Sequence, residues 1–173
     1  MEAHKTTLDG VLLIRPDSPI HEDFRGRYVT AYRKAEFEKM GINVEFVNES
    51  YSTSSKGVLR GIHAETDNWK LISCRRGCFY LVVVVCDEQS KDFGKWESFT
   101  LTEHNALQVL IPPGFGNAHL ALSDDIMFHY LQSNYFDPAR QTTYRYDDPR
   151  FAIWWPIKNP LLSPRDEAGK YVE

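Results

Sequence analysis

Residues 56–70, KGVLRGIHAETDNWK, bring Arg60, His63, Glu65 and Lys70 into one short stretch. Histidine titrates near neutral pH and can take up or deliver a proton. Arg60 and Lys70 suit an anion or a developing oxyanion. In an extended strand, residues two apart share a face, so His63 and Glu65 point the same way. A lone strand histidine is most often a hydrogen-bonded core residue. Cations on both sides make poor core neighbours and favour a proton-transfer role. The same histidine with Glu65 and His119 forms a competing set, two imidazoles and a carboxylate, that suits iron or a similar ion.

Other residues are candidate partners for His63. Tyr130, in MFHYLQSNYF, is either a packed ring with a bonded hydroxyl or a general acid facing His63. Asp166, in LLSPRD, reads alone as a surface carboxylate in a polar, turn-like tail. As a partner to a histidine it would hold the ring's tautomer and raise its basicity. Arg25, in DFRG, is a solvated loop arginine or a phosphate contact. Tyr135, Phe136 and Trp155 either pack or stack on a base or sugar.

The elements that position these residues read as short strands. Apolar segments at 9–16, 28–32, 44–47, 71–74, 78–86, 96–101, 106–111, 117–122 and 127–134 are separated by turn signals. Residues 78–86 carry four consecutive valines, too β-branched for a comfortable helix. One short helix is predicted over 35–40, ended by Gly41. Residues 17–27 read as turn-rich, 51–56 as a Ser/Thr-rich loop and 162–166 as a polar tail. Strands at spacings near ten residues indicate a β-sandwich or barrel, and a double-sheet jelly roll of the cupin type fits best. The expected architecture is all-β with one or a few short helices, in a single domain over 1–173.

With 173 residues, 42% of them hydrophobic, the chain is long enough for a real core. A net charge of −4 argues against a nucleic-acid binder but not against a local basic pocket. No apolar run approaches the ~20 residues of a membrane span, and no signal-peptide pattern is visible. Cys74, Cys78 and Cys86 read as reduced, buried thiols of a cytoplasmic protein.

In chain order, GVLRGIH, WKL, FGKW, IPPGF, DDP with WP, and LSPRD resemble the dTDP-4-dehydrorhamnose 3,5-epimerase family of cupins. The resemblance runs over about residues 15–166. It implies a homodimeric jelly roll that uses no metal or cofactor and acts on a nucleotide-linked 4-keto-6-deoxyhexose. By motif, His63 is then the base that removes protons beside the ketone, with Asp166 as its dyad partner. Tyr130 is the acid that reprotonates from the opposite face. Lys70 steadies the enolate oxygen, and Arg60 and Arg25 contact the diphosphate. No metal role is implied for His63, Glu65 or His119, since the family's cupins do without one and the usual His-x-His pair of metal cupins is broken by Glu65.

Departures cluster at recognition positions. Asn117 stands where the family has a histidine, and His119 follows two places on. The base-binding stretch Val-Gln-Asp-Asn is Val47-Asn48-Glu49-Ser50 here, which places Asn48 and Ser50 at the nucleobase. Thr30 replaces a glutamate, Phe136 the second aromatic of a Tyr-Tyr pair, and Ala64-Glu65 an aromatic and a glutamine. Glu65, Asn117, His119 and Phe136 are therefore expected to contact the substrate. The GNAH, QSNYF and SPRDE segments resemble the branch acting on GDP-linked 6-deoxy-4-keto-heptoses in bacterial capsule synthesis. A metal-dependent oxygenase or isomerase, a 3,4-ketoisomerase and a non-catalytic sugar-binding module are the alternatives.

Overall fold

Two antiparallel sheets face each other in the computed structural model, which describes residues 1–16 and 21–172. Residues 17–20, inside the predicted turn-rich stretch, and residue 173 lie outside the described residues. The strands are β1 (Glu2–Lys5), β2 (Leu12–Arg15), β3 (His21–Asp23), β4 (Gly26–Tyr28), β5 (Asn48–Ser54), β6 (Leu59–Glu65), β7 (Lys70–Arg76), β8 (Cys78–Val85), β9 (Trp96–Thr102), β10 (Gln108–Ile111), β11 (Phe115–Ala121), β12 (Ile126–Gln132) and β13 (Gln141–Thr143). Helices α1 (Lys34–Lys39) and α2 (Pro164–Glu167) complete the set, with one 3₁₀ turn at Pro138–Arg140. One sheet runs β1-β2-β10-β7-β12-β5 and the other β13-β6-β11-β8-β9. This is the expected all-β, cupin-type jelly roll.

The valine-rich strand β8 explains its own composition. Phe79, Leu81, Val83 and Val85 meet Ile72, Val109 and Phe128 between the sheets. Its other face carries Tyr80 and Val82, covered by Tyr146, Ile153 and Trp155 of the C-terminal segment. A strand buried on both faces loses the apolar–polar alternation of a half-exposed one.

Four local expectations are corrected. Residues 44–47 join no ladder; pairing begins at Asn48, and β5 takes in most of the predicted 51–56 loop. β5 is an edge strand paired to β12 alone, and its side chains alternate exposed and half-buried. Ser and Thr tolerate such an edge, so composition there resembles a loop. Of the predicted strand at 28–32, only Tyr28 pairs, across the β3–β4 hairpin. The supposed polar tail is helix α2, and it buries Asp166.

A β-bulge sets the geometry of the site. Asn117 pairs with His63 and His119 with Arg60, so Gly61 and Ile62 together oppose Ala118. The extra residue reverses the side-chain parity of β6. Arg60 therefore reaches the same cleft as His63 and Glu65, which strict alternation would forbid. Gly61 makes the bulge possible: its φ is +120°, and a Cβ there would lie 2.6 Å from both the Ala118 Cβ and the Asn117 carbonyl oxygen.

Candidate active site

A cleft between the sheets gathers most of the predicted residues. The five-stranded sheet contributes Arg60, His63 and Glu65 from β6, Asn117 and His119 from β11, and Gln141 from β13. The six-stranded sheet contributes Ser52 from β5, Lys70 and Ile72 from β7, and Phe128, Tyr130 and Gln132 from β12. Phe136 and Arg165 complete the lining. His63 and Tyr130 thus stand on opposite walls.

The His63–Asp166 pair is built by local helix chemistry. Ser163 caps α2: its hydroxyl accepts the Asp166 N–H (3.2 Å) and donates to Asp166 Oδ2 (2.8 Å). Pro164 takes the first helical position, where a missing N–H costs nothing. This leaves Oδ1 for His63 Nε2 at 2.7 Å, with the Gly61 N–H also directed at Oδ1 (3.4 Å). Burial alone would raise the Asp166 carboxyl. The bonds from His63, Ser163 and Gly61 outweigh it and hold the group below the usual carboxylate range. An ionised carboxylate at Nε2 requires the proton on that nitrogen, so the lone pair of the neutral ring is on Nδ1.

Lys70 and Glu65 form a buried ion pair at 2.9 Å. Lys70 also donates to Asn117 Oδ1 (3.2 Å). Glu65 shares the cleft face with His63, as the spacing predicts, but its partner is Lys70. Burial would raise its carboxyl; the Lys70 charge and the bonds from Asn68, Lys70 and Gln141 bring it below its ordinary range.

His119 lies flat on the Phe128 ring, with centroids 4.0 Å apart and planes 11° apart. Its Nε2 is buried and has no hydrogen-bond partner among the described residues. Burial, reinforced by the charges of Arg60 and His63, pushes its pKa down to about 3. The ring is neutral at physiological pH. His63, Glu65 and His119 do not converge on a common point as ligands would: His63 is bonded to Asp166, Glu65 to Lys70, and His119 is stacked. Among the described residues no group of three His, Cys, Asp or Glu side chains is arranged to hold a metal ion.

The neutral state of His119 has a measurable consequence. Folding depresses its pKa, so its contribution to stability is fully present above the unfolded value near 6.5 and is lost as pH falls toward about 3. His129, held down by burial despite its bond to Glu49, acts in the same direction. His119→Phe keeps the stack and removes the titration. It is expected to flatten the acid-side loss of stability by up to ~1.4 kcal/mol per pH unit below 6.5, as read by urea unfolding at a series of pH values.

Some expected residues stand elsewhere. Arg25 is an exposed residue of the β3–β4 turn, paired with Asp23, and does not line the cleft. Two-residue hairpins project outward, and the DFRG spacing alone cannot say toward what. Asn48 and Ser50 lie on the same face of β5 as Ser52, but only Ser52 reaches the cleft; Asn48 instead donates to Gln132 (3.1 Å). Trp155 packs against Tyr80 and Tyr146, and Tyr135 is exposed. Sequence reasoning missed Ser52, Gln132, Gln141 and Arg165. Only Arg165 carried a signal, as the neighbour of Asp166 in SPRD.

Known proteins resemble the chain over nearly its whole length. Residues 5–173 match the sequence model of the dTDP-4-dehydrorhamnose 3,5-epimerase family. The enzyme of that name from Shigella flexneri is 35% identical over 178 residues, spanning 100% of this chain and 97% of the relative. The Neisseria gonorrhoeae enzyme is 37% identical over 98% of this chain, which spans 52% of that longer protein. Among solved structures, the dTDP-6-deoxy-D-glucose-3,5-epimerase of Legionella pneumophila in complex with dTDP-4-keto-L-rhamnose superposes with a TM-score of 0.92 at 33% identity, covering 98% of this chain and 92% of that one. A 4-keto-6-deoxy sugar epimerase from the novobiocin gene cluster of Streptomyces spheroides gives 0.92 at 32% identity, covering 99% and 87%.

Proposed function

Because the chain belongs to the dTDP-4-dehydrorhamnose 3,5-epimerase family, we propose that its cleft inverts C3, C5 or both of a nucleotide-linked 4-keto-6-deoxy sugar. The observation that carries this reading is the placement of the His63–Asp166 pair and Tyr130 on opposite walls of one cleft. The C4 ketone makes the hydrogens on C3 and C5 acidic. His63 Nδ1 takes one as a proton, and the electron pair moves onto the ketone oxygen. Lys70 stands by that oxygen and stabilises the charge as it develops. The Tyr130 hydroxyl then delivers a proton to the other face of the same carbon, and the centre is inverted. Protonated His63 and the tyrosinate return to their starting states through solvent. Asp166 does not touch the substrate; it keeps His63 oriented and in the correct tautomer.

Arg60 and Arg165 at the cleft are proposed to hold the diphosphate, and Phe136, half exposed at the rim, to stack on the base. Asn117 and His119 are proposed to meet the sugar, His119 as a neutral ring. Two copies are proposed to associate as a homodimer, supported by the exposed Phe24 and Tyr28 of the β3–β4 hairpin and the edge strand β1. Among the described residues no helix is long and apolar enough to cross a membrane. The free thiols of Cys74, Cys78 and Cys86 favour a cytoplasmic setting.

The direct test is incubation with dTDP-linked 4-keto-6-deoxyglucose in deuterated water, followed by NMR. Label is expected at C3, C5 or both, with epimerised product. A parallel panel of GDP- and CDP-linked 4-keto sugars, hexoses and heptoses, identifies the preferred nucleotide and chain length. If no member of the panel exchanges, the assignment fails; a 3-keto product would instead reveal a ketoisomerase.

A further inference from the structure

We propose that Glu65 is a positioning residue that holds Lys70 beside the developing enolate oxygen, and that it does not contact the sugar. The inference rests on the epimerase reading and deepens it. Glu65 faces the cleft, so its position invites a substrate contact, yet it is buried and three protein donors already converge on its carboxylate. Oε1 accepts from Lys70 Nζ (2.9 Å) and Gln141 Nε2 (2.6 Å), and Oε2 accepts from Asn68 Nδ2 (2.6 Å). Asn68 is itself buried and fixed, its Oδ1 accepting from the Ser133 hydroxyl (3.3 Å) and the Asn134 N–H (3.2 Å). A substrate hydroxyl seeking this carboxylate would have to reach a buried group with three of its roughly four acceptor sites occupied.

The network ends on Lys70. An ammonium has three protons. Glu65 takes one and Asn117 Oδ1 another, and the third has no partner among the described residues. Lysine carries its charge on a flexible four-carbon stem, and such a stem localises charge only when something holds its end. Electrostatic stabilisation works through donors that are in place before the reaction begins. Glu65, anchored through Asn68 to the loop after β12 and through Gln141 to β13, supplies that hold. It also keeps the buried ammonium compensated, since an unpaired buried charge is strongly disfavoured.

Glu65→Gln and Lys70→Gln, singly and together, test the proposal with the substrate the wild type turns over best. Glu65→Gln is expected to lower kcat roughly 10- to 100-fold with KM within about threefold. In the Lys70→Gln background the same change is expected to leave kcat within about threefold, because the residue acts only through the lysine. A raised KM with unchanged kcat would show a sugar contact and overturn the proposal. So would multiplicative losses in the double variant, or a kcat equal to or above wild type in Glu65→Gln. The double variant buries no uncompensated charge. Should Glu65→Gln not fold, Glu65→Asp keeps the charge and shortens the reach by one methylene. A fall in its kcat alone supports the assignment; a change in its KM alone, or wild-type kinetics, overturns it. Wild-type turnover separates the two readings: if the wild type exchanges no 4-keto sugar, the epimerase assignment falls, whereas a wild-type-like Glu65→Gln removes only the positioning role.

Discussion

His63→Asn is expected to lower epimerisation by roughly 10³- to 10⁴-fold, at the upper end of what one positioned proton transfer contributes. The reason lies in what surrounds the histidine. Its Nε2 is committed to Asp166 at 2.7 Å, and Nδ1 holds the lone pair that can remove a proton beside the ketone. Nothing else on that wall can substitute. The Glu65 carboxylate already accepts from Lys70, Asn68 and Gln141. His119 is a weak base whose pKa lies at about 3, and its Nε2 is buried. Asparagine fills most of the same space and can still donate to Asp166, so KM should change little. The measurement is deuterium incorporation alongside product formation, each as kcat and KM. A loss of less than about tenfold would assign the base to another group.

Tyr130→Phe is expected to separate exchange from inversion. His63 removes a proton from one wall of the cleft, and inversion needs a proton from the other. Tyr130 stands on that opposite wall with a hydroxyl that has no hydrogen-bond partner among the described residues, whereas Lys70 on the same wall is held by Glu65 and Asn117. Phenylalanine keeps the ring packed against Phe128, at a centroid distance of 5.4 Å in the parent, so the fold should persist. Inverted product is expected to fall by roughly 10²- to 10³-fold. Label should still enter the substrate with retention, because His63 can return a solvent-derived deuteron to the face it came from. Inversion at the wild-type rate would remove Tyr130 from the acid role. Loss of exchange and inversion in equal measure would place Tyr130 in the first deprotonation.

Much of the site was legible because its chemistry is concentrated in sequence. Arg60, His63, Glu65 and Lys70 lie on β6 and at the start of the next strand, β7, and the ordered motifs that followed were specific enough to place the family. The substitutions at the recognition positions were equally visible. Their resemblance to a branch acting on GDP-linked heptoses stands beside relatives named for dTDP-linked sugars, and turnover of the substrate panel decides between them.

Composition and local pattern by themselves determined the all-β class, the valine-rich strand β8, the short helix α1 and the shared face of His63 and Glu65. These follow from β-branching, turn residues and a period of two, which act over a few neighbouring residues. Only the tertiary structure decided how the parity of β6 is broken. The bulge at Gly61 depends on the close approach of Ala118 from another strand, and it is what brings Arg60 into the cleft. Tertiary structure also paired Glu65 with Lys70 and set Arg25 apart on an exposed hairpin. It delivered Asp166 to His63 across 103 residues of chain. A carboxylate in a polar C-terminal stretch looks like surface until the capped turn of α2 folds against β6. Such contacts depend on which surfaces meet, and residues near in sequence do not encode that.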